Sequence, residues 1–228
     1  FKELRSALDA LAHDAGLRVL ILTGAGTRAF SAGADLKERN GMSDATWRAQ
    51  HQLIEEAFLA VKDFPTPAIA AVEGNAHGGG LELALMADFI VASREAKLSL
   101  PEGKRGIMPG GGGIQNLVRA VGMRRAKQLI LTGDAFTGEQ ALAWGVANEL
   151  AEPGQALAAA VAIARRIADC APLSVRYAKL AASRGGEVDF HTGYMMDIAA
   201  YNVLVNTQDR HEGVRAFNEK RKPRWTNG

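Results

Sequence analysis

Two glutamates stand where a carboxylate can do acid–base chemistry. Glu82 follows the glycine run of Gly78-Gly79-Gly80-Leu81-Glu82-Leu83-Ala84-Leu85. The residues after the glycines have helix-forming composition, so Glu82 falls one turn into a helix that is otherwise apolar. A carboxylate there must be paired, solvated in a cleft, or working. The glycines ahead of it leave bare N–H groups at the mouth of that helix, where the backbone dipole favours negative charge. Glu102 lies in Pro101-Glu102, after the short run Lys97-Leu98-Ser99-Leu100 and ahead of Gly110-Gly111-Gly112-Gly113. It repeats the arrangement, a carboxylate beside permissive backbone. The alternative is plain: each glutamate points to solvent from a tight turn.

Other residue types offer less. The stretch Arg28-Ala29-Phe30-Ser31-Ala32-Gly33-Ala34-Asp35-Leu36-Lys37 has small residues that let a ligand approach the backbone, with cations flanking the approach. It reads equally as a loop packed under a neighbour. The glycines at 110–113 are not a phosphate loop, because no Gly-Lys-Ser/Thr follows them. His13, His51, His77, His191 and His211 show no metal-ligand spacing with one another or with Cys170, so no metal site is assigned. His51 lies within a helix and reads as a surface or rim residue rather than a ligand. His77, beside the glycines, is the one histidine to watch.

These groups must be positioned by alternating elements. Leu4, Ala7, Leu8, Leu11 and Ala12 recur at helical spacing and predict a helix from Lys2 to about His13. Arg18–Thr23 and Ala68–Val72 read as buried strands, with Phe89–Ala92 as a third. Ser43-Asp44 caps a long helix to about Asp63 whose apolar side carries Trp47, Leu53, Ile54, Ala57, Phe58 and Val61. Helices start near Ile114 and Met123, and Thr137-Gly138-Glu139-Gln140 is a capping box. The last third is helical, at about 155–169, 172–183, 189–205 and 208–221. The pattern is that of a mixed α/β fold.

Composition narrows the partners. Of 228 residues, 47% are hydrophobic and 23% charged, as in an ordinary globular protein. A net charge of +2 gives no case for nucleic acid or a membrane surface. One cysteine forms no internal disulfide, and no apolar run reaches the ~20 residues that span a bilayer. The first residue is Phe1, so a preceding targeting segment is an open expectation.

In order along the chain, Phe30-Ser31-Ala32-Gly33-Ala34-Asp35-Leu36-Lys37, Ile69–Val72 with His77–Leu83, and Pro101-Glu102 with Gly106–Gly110 resemble the crotonase (enoyl-CoA hydratase/isomerase) superfamily. Thr132-Gly133, Asp209–Gly213 and Ala216–Arg221 extend the resemblance over nearly the whole chain. It implies a spiral of ββα units over residues 1–188, whose opening strands would lie before Phe1. It also implies a C-terminal helical region, 189–228, that covers the active site and assembles trimers or hexamers. The substrate would be an acyl-CoA thioester, with no further cofactor. The N–H groups of Ala34 and Gly79 would form the oxyanion hole. Arg28, Ala32, Ala34, Asp35, Leu36 and Lys37 would bind CoA, and Lys220 would reach a neighbouring subunit's CoA. In the family, hydratases hold glutamates at the positions of Glu82 and Glu102, while isomerases usually keep only the second. Both are present here, which implies hydration of 2-enoyl-CoA, with isomerisation as the alternative. Glu82 would activate water and Glu102 would protonate Cα.

The motifs look most similar to the methylglutaconyl-CoA hydratase branch, which implies 3-methylglutaconyl-CoA as one substrate and fatty-acid or leucine catabolism as the setting. The compartment would be the cytoplasm in a bacterium and the mitochondrion in a eukaryote. Some members of that branch bind AU-rich RNA through a basic helix. The corresponding helix here, Gln52–Lys62, is net acidic, which argues against that partner. Ile114 and Asn116 depart from the threonine and arginine common in the family, with an expected effect on packing more than on chemistry.

Overall fold

The computed structural model describes residues 1–228. The chain runs α1 (Lys2–Ala12), β1 (Leu20–Thr23), β2 (Ala29–Ser31), α2 (Asp44–Lys62), β3 (Ala68–Val72), β4 (Asn75–His77) and α3 (Gly79–Met86). It continues with β5 (Phe89–Ser93), β6 (Lys97–Ser99), a single 3-10 turn at Glu102–Arg105, α4 (Gly113–Val121) and α5 (Met123–Thr132). Then come β7 (Phe136–Thr137), α6 (Gly138–Trp144), β8 (Glu149–Ala151), α7 (Ala156–Ala168), α8 (Pro172–Gly185), α9 (Phe190–Val205) and α10 (Gln208–Asn218).

Three times the chain lays one strand in a first sheet, turns and lays a strand in a second. Twice it then crosses straight back through one helix, and after β6 it passes through α4, α5, β7 and α6 before returning at β8. The result is two four-stranded layers, β1-β3-β5-β8 and β2-β4-β6-β7, parallel throughout except for the last pair, β6 and β7. This is the winding of ββα units that the sequence resemblance implies. Because both faces of β3 are covered, all five of its residues are buried, and a strand buried on both sides reads as a continuous apolar run. Its alternate residues serve different cores. Ala68, Ala70 and Val72 pack with Phe58 and Val61 of α2 and Leu81 of α3. Ile69 and Ala71 pack with Val91 and with Ala156 and Ala160 of α7.

The ends of the helices are set by local chemistry. Ser43 Oγ accepts the Thr46 N–H at the start of α2. Thr137 and Gln140 exchange hydrogen bonds in a capping box at α6, and Pro172 occupies the first turn of α8. Four short strands, β2, β4, β7 and β8, carry no readable period of their own. Two of them, β2 and β4, fall in stretches read from sequence as a ligand loop and a glycine turn. Two or three residues become strand there only because a partner more than a dozen residues away supplies the ladder. β1 likewise begins at Leu20 rather than Arg18.

The last forty residues are built differently. α9 lies along α8 and turns Phe190, Tyr194, Met195 and Tyr201 outward, and α10 leaves Phe217 84% exposed. Beneath α10 two buried carboxylates fasten the tail. Asp209 accepts from the backbone of Thr226 and Asn227, at 2.7 and 3.1 Å, and from the Thr226 hydroxyl. Glu212 accepts from Arg215, from Arg221 and from the Arg224 N–H. No helix is long and apolar enough to cross a membrane.

Candidate active site

Glu82 sits in the first turn of α3, 5% exposed. The loop before α4 folds over it so that Oε1 accepts two backbone N–H groups, Gly111 at 2.7 Å and Gly113 at 3.0 Å. Glycine is required for this approach: a Cβ at Gly113 would stand 2.8 Å from Glu82 Cγ. Both donors use one oxygen, so Oε2 is left to face the cleft. Burial raises the pKa of this carboxyl above its ordinary value, against the two N–H groups and His51, which act the other way.

Glu102 opens the 3-10 turn after β6 and is also buried. Its Oε1 lies close over Gly78, while its Oε2 has no hydrogen-bond partner at all. Burial again raises the pKa first; the charge on Glu82 pushes the same way, against its own N–H and Arg105. This repulsion by Glu82 reflects a shared cavity. Both glutamates line one cleft of about 990 Å³.

At the mouth of α3 two backbone segments meet. Gly33 adopts φ +83°, and a Cβ there would lie 2.8 Å from the His77 carbonyl oxygen and 3.0 Å from the Gly79 nitrogen. Residue 34 therefore follows directly against Gly79. The Ala34 N–H donates to no protein acceptor. The Gly79 N–H belongs to an opening helical turn, whose donors lack intrahelical partners. Two free donors beside two carboxyl groups, at the positive end of a helix, suit an oxygen that gains negative charge.

Of the residues singled out from sequence, Ala32, Ala34, Leu36, Gly79, Glu82 and Glu102 all line this cleft. Arg28, Asp35, Lys37 and Lys220 do not. Asp35 Oδ1 accepts the Lys37 N–H at 2.8 Å and shapes the turn that carries Leu36. Lys220 follows α10 in a left-handed conformation, φ 53°.

Other residues of the cleft carry no assigned role in the sequence reading. His77 Nδ1 lies 2.8 Å from Ser99 Oγ, and burial, then Arg105 and Lys97, lower the pKa of the ring, which keeps it neutral near pH 7. Trp47, His51 and Ile54 form one wall from α2, and Arg39 stacks on Trp47 with 4.2 Å to the ring centroid. Their spacing, i, i+4, i+7, is the signal that was available: the apolar stripe of α2 passes through His51, so this histidine shares the buried side. Asn116, one of the unusual residues, reaches the Met86 sulfur at 3.7 Å, a packing contact.

Comparison with known proteins follows the same lines. The enoyl-CoA hydratase/isomerase family profile matches residues 1–228. The mitochondrial methylglutaconyl-CoA hydratase of Mus musculus is 42% identical over 228 residues, covering 98% of this chain and 73% of that protein. The mitochondrial enoyl-CoA hydratase domain-containing protein 2 of Mus musculus is also 42% identical, over 98% of this chain and 77% of its own length. Among solved structures, an enoyl-CoA hydratase from Bacillus anthracis superposes with a TM-score of 0.97 at 43% identity, covering all of this chain and 88% of that one.

Proposed function

The chain belongs to the enoyl-CoA hydratase/isomerase family, and from that premise we propose that it adds water across the conjugated double bond of 2-enoyl-CoA thioesters to give 3-hydroxyacyl-CoA. The observation that carries this reading is the pair of buried, pKa-raised carboxyls in one cleft beside two unpartnered backbone donors.

In the proposed reaction, Glu82 takes a proton from a water whose oxygen attacks Cβ. The electron pair of the double bond moves through Cα to the thioester oxygen, held by the N–H groups of Ala34 and Gly79. Glu102 then gives its proton to Cα and the carbonyl re-forms. Water has been added, and Glu82 and Glu102 have exchanged protonation states, which solvent restores. Burial raises the pKa of both carboxyls. On Glu102 this favours the protonated form that gives its proton to Cα, while on Glu82 the N–H groups of Gly111 and Gly113 oppose it and favour the carboxylate. Each oxyanion donor contributes roughly 3–4 kcal/mol in comparable sites.

Ala32, Ala34 and Leu36 form the wall along which CoA would lie, with Arg28 and Lys37 supplying positive charge and Asp35 holding their turn. The exposed apolar residues of α9 and α10 support assembly into a trimer or hexamer, in which Lys220 reaches a neighbouring CoA. Residues 189–228 would then act as the assembly region for the spiral before them. The methylglutaconyl-CoA hydratase relatives make 3-methylglutaconyl-CoA one substrate to compare. The test is product analysis with crotonyl-CoA, longer 2-enoyl-CoAs and 3-methylglutaconyl-CoA. Formation of the 3-hydroxyacyl product is expected; double-bond migration without hydration would replace this reading with an isomerase.

A further inference from the structure

Glu82 ends each turn of the proposed reaction holding a proton that it must lose before the next. Its Oε1 is occupied by two backbone N–H groups, while Oε2 faces the cleft without a protein partner. The same cleft holds an imidazole already arranged to accept a proton. His51 lies in α2, and its Nδ1 is 2.6 Å from Oε1 of Glu55, one helical turn on. An ionised carboxylate only accepts, so Nδ1 carries the hydrogen of this bond. The neutral ring therefore presents a lone pair at Nε2.

That nitrogen is turned toward the loop before α4. A Cβ at Gly110 would stand 2.6 Å from His51 Nε2, and a Cβ at the next residue, Gly111, would stand 3.1 Å from Glu82 Oε2. The lone pair of His51 and the free oxygen of Glu82 thus face consecutive residues of one glycine ridge, and both side chains line the cleft. The charge of His51 is felt at Glu82, whose burial-raised pKa it pulls down. On its other side the ring reaches solvent, with the His51 side chain 32% exposed and that of Glu55 52%. His77 is no rival for this part. Ser99 occupies its Nδ1, and burial, then Arg105 and Lys97, keep the ring neutral.

We propose that His51, oriented by Glu55, is a positioning residue that relays the proton of Glu82 to solvent after each hydration. This rests on the hydratase reading and adds the step that resets the site. The Glu82 Oε2–H bond breaks with its electron pair left on oxygen, and the Nε2 lone pair takes the proton, directly or across one water. The imidazolium then gives that proton to bulk water, so no other reactant is needed. An ordinary imidazole holds a proton more tightly than an ordinary carboxyl, which favours the first transfer.

Steady-state hydration of crotonyl-CoA in dilute buffer tests the relay. The kcat of His51→Ala should fall about tenfold, with KM within about twofold of wild type, a small share of the 10²–10⁴ that a direct acid–base group supplies. Added imidazole should restore kcat in the variant and leave the wild type unchanged. Glu55→Gln should lose less, because the ring remains and only its orientation loosens. A wild-type kcat in His51→Ala would overturn the proposal. So would a loss that imidazole does not rescue, which would make His51 a packing residue. A second readout needs no substrate. Nitrogen-15 spectra should place the hydrogen of the neutral His51 ring on Nδ1, and Glu82→Gln should move the Nε2 resonance while Nδ1 stays. A hydrogen on Nε2, or an Nε2 resonance blind to Glu82→Gln, would overturn the proposal even in an active hydratase. Absence of hydration would sink the function proposed above, and these resonances would still decide whether the proton path from Glu82 to His51 exists.

Discussion

Glu82 and Glu212 are almost equally buried, 5% and 6% exposed, yet their carboxyls are held in opposite ways. Glu212, in α10, is saturated. Arg221, then Arg215, then the Arg224 N–H bond to it and hold its pKa far below the usual carboxylate range. Glu82 receives two N–H groups on one oxygen and none on the other, so burial prevails and its pKa rises. Glu102 is poorer still, with a buried oxygen that has no partner. The tail carboxylates are satisfied, and they fasten structure. The cleft carboxylates are left short of partners, and that deficit keeps them reactive toward a proton.

The sharpest way to break this contrast is to remove the charge on each side. Glu82→Gln and Glu102→Gln should each lower kcat for crotonyl-CoA by a factor on the order of 10²–10⁴, with KM little changed. The double variant should be scarcely worse than the poorer single one, because the two groups act together. In Glu82→Gln the new amide keeps a carbonyl oxygen for the donors of Gly111 and Gly113, so thermal unfolding should show no loss of stability. Wild-type hydration by Glu82→Gln would end the comparison.

The next largest effect separates position from charge. Gly113→Ala would drive a methyl group to 2.8 Å from Glu82 Cγ. Displacement of a catalytic group by about 1 Å can cost roughly 10²-fold in rate, so kcat should fall toward that level while the carboxylate itself is retained. Unchanged kcat would mean that the glycine loop does not position Glu82.

On the other side, Glu212→Gln should lower Tm by several degrees and make residues 219–228 sensitive to protease. The kcat of the folded fraction should stay within about twofold of wild type, as for changes remote from the reacting groups. Loss of kcat without loss of Tm would put Glu212 in the wrong class.

The smallest effect is in pH. For Glu212 the folded pKa lies below the ordinary 4.5, so its stabilisation is present above that value and fades as the pH falls. For Glu82 and Glu102 the folded pKa lies above 4.5, so stability is lost as the pH rises from there through the raised values. The Glu82→Gln, Glu102→Gln double variant should therefore exceed the wild-type Tm near pH 7 and lose that margin near pH 4, as read by calorimetry. An identical margin at both values would mean that the cleft carboxyls are not destabilised by burial.

Much of this was legible in the sequence, for local reasons. A glutamate inside an apolar helix and another after a short strand identify themselves, since each breaks a pattern set by its neighbours. Ser43 and the Thr137–Gln140 box announce their helices through contacts within four residues. What stayed hidden depends on distant partners. Asn75–His77 is strand only because Ala29–Ser31 and Lys97–Ser99 flank it. In Arg28–Lys37 only Ala32, Ala34 and Leu36 line the cleft, an alternation set by the fold of the loop that its composition does not announce. Arg39 does line it, through a stacking partner eight residues on, and no local pattern separates it from the other charges of its loop.

The winding of the chain also has a temporal side. β3 and β5 pair Ile69 with Phe89, 20 residues apart. β1 and β3 pair Leu20 with Ala68, 48 apart, and β5 and β8 pair Val91 with Glu149, 58 apart. Closing the shortest of these loops costs about 0.8 kcal/mol less chain entropy than closing the next, by the logarithmic law. The β3–α3–β5 segment is thus the expected nucleus of folding, and pulsed amide exchange should find Val91 protected before Leu22. That segment carries Glu82. The donors that later grip it, Gly111 and Gly113, lie outside the nucleus, so the acid is installed first and its holder arrives afterwards.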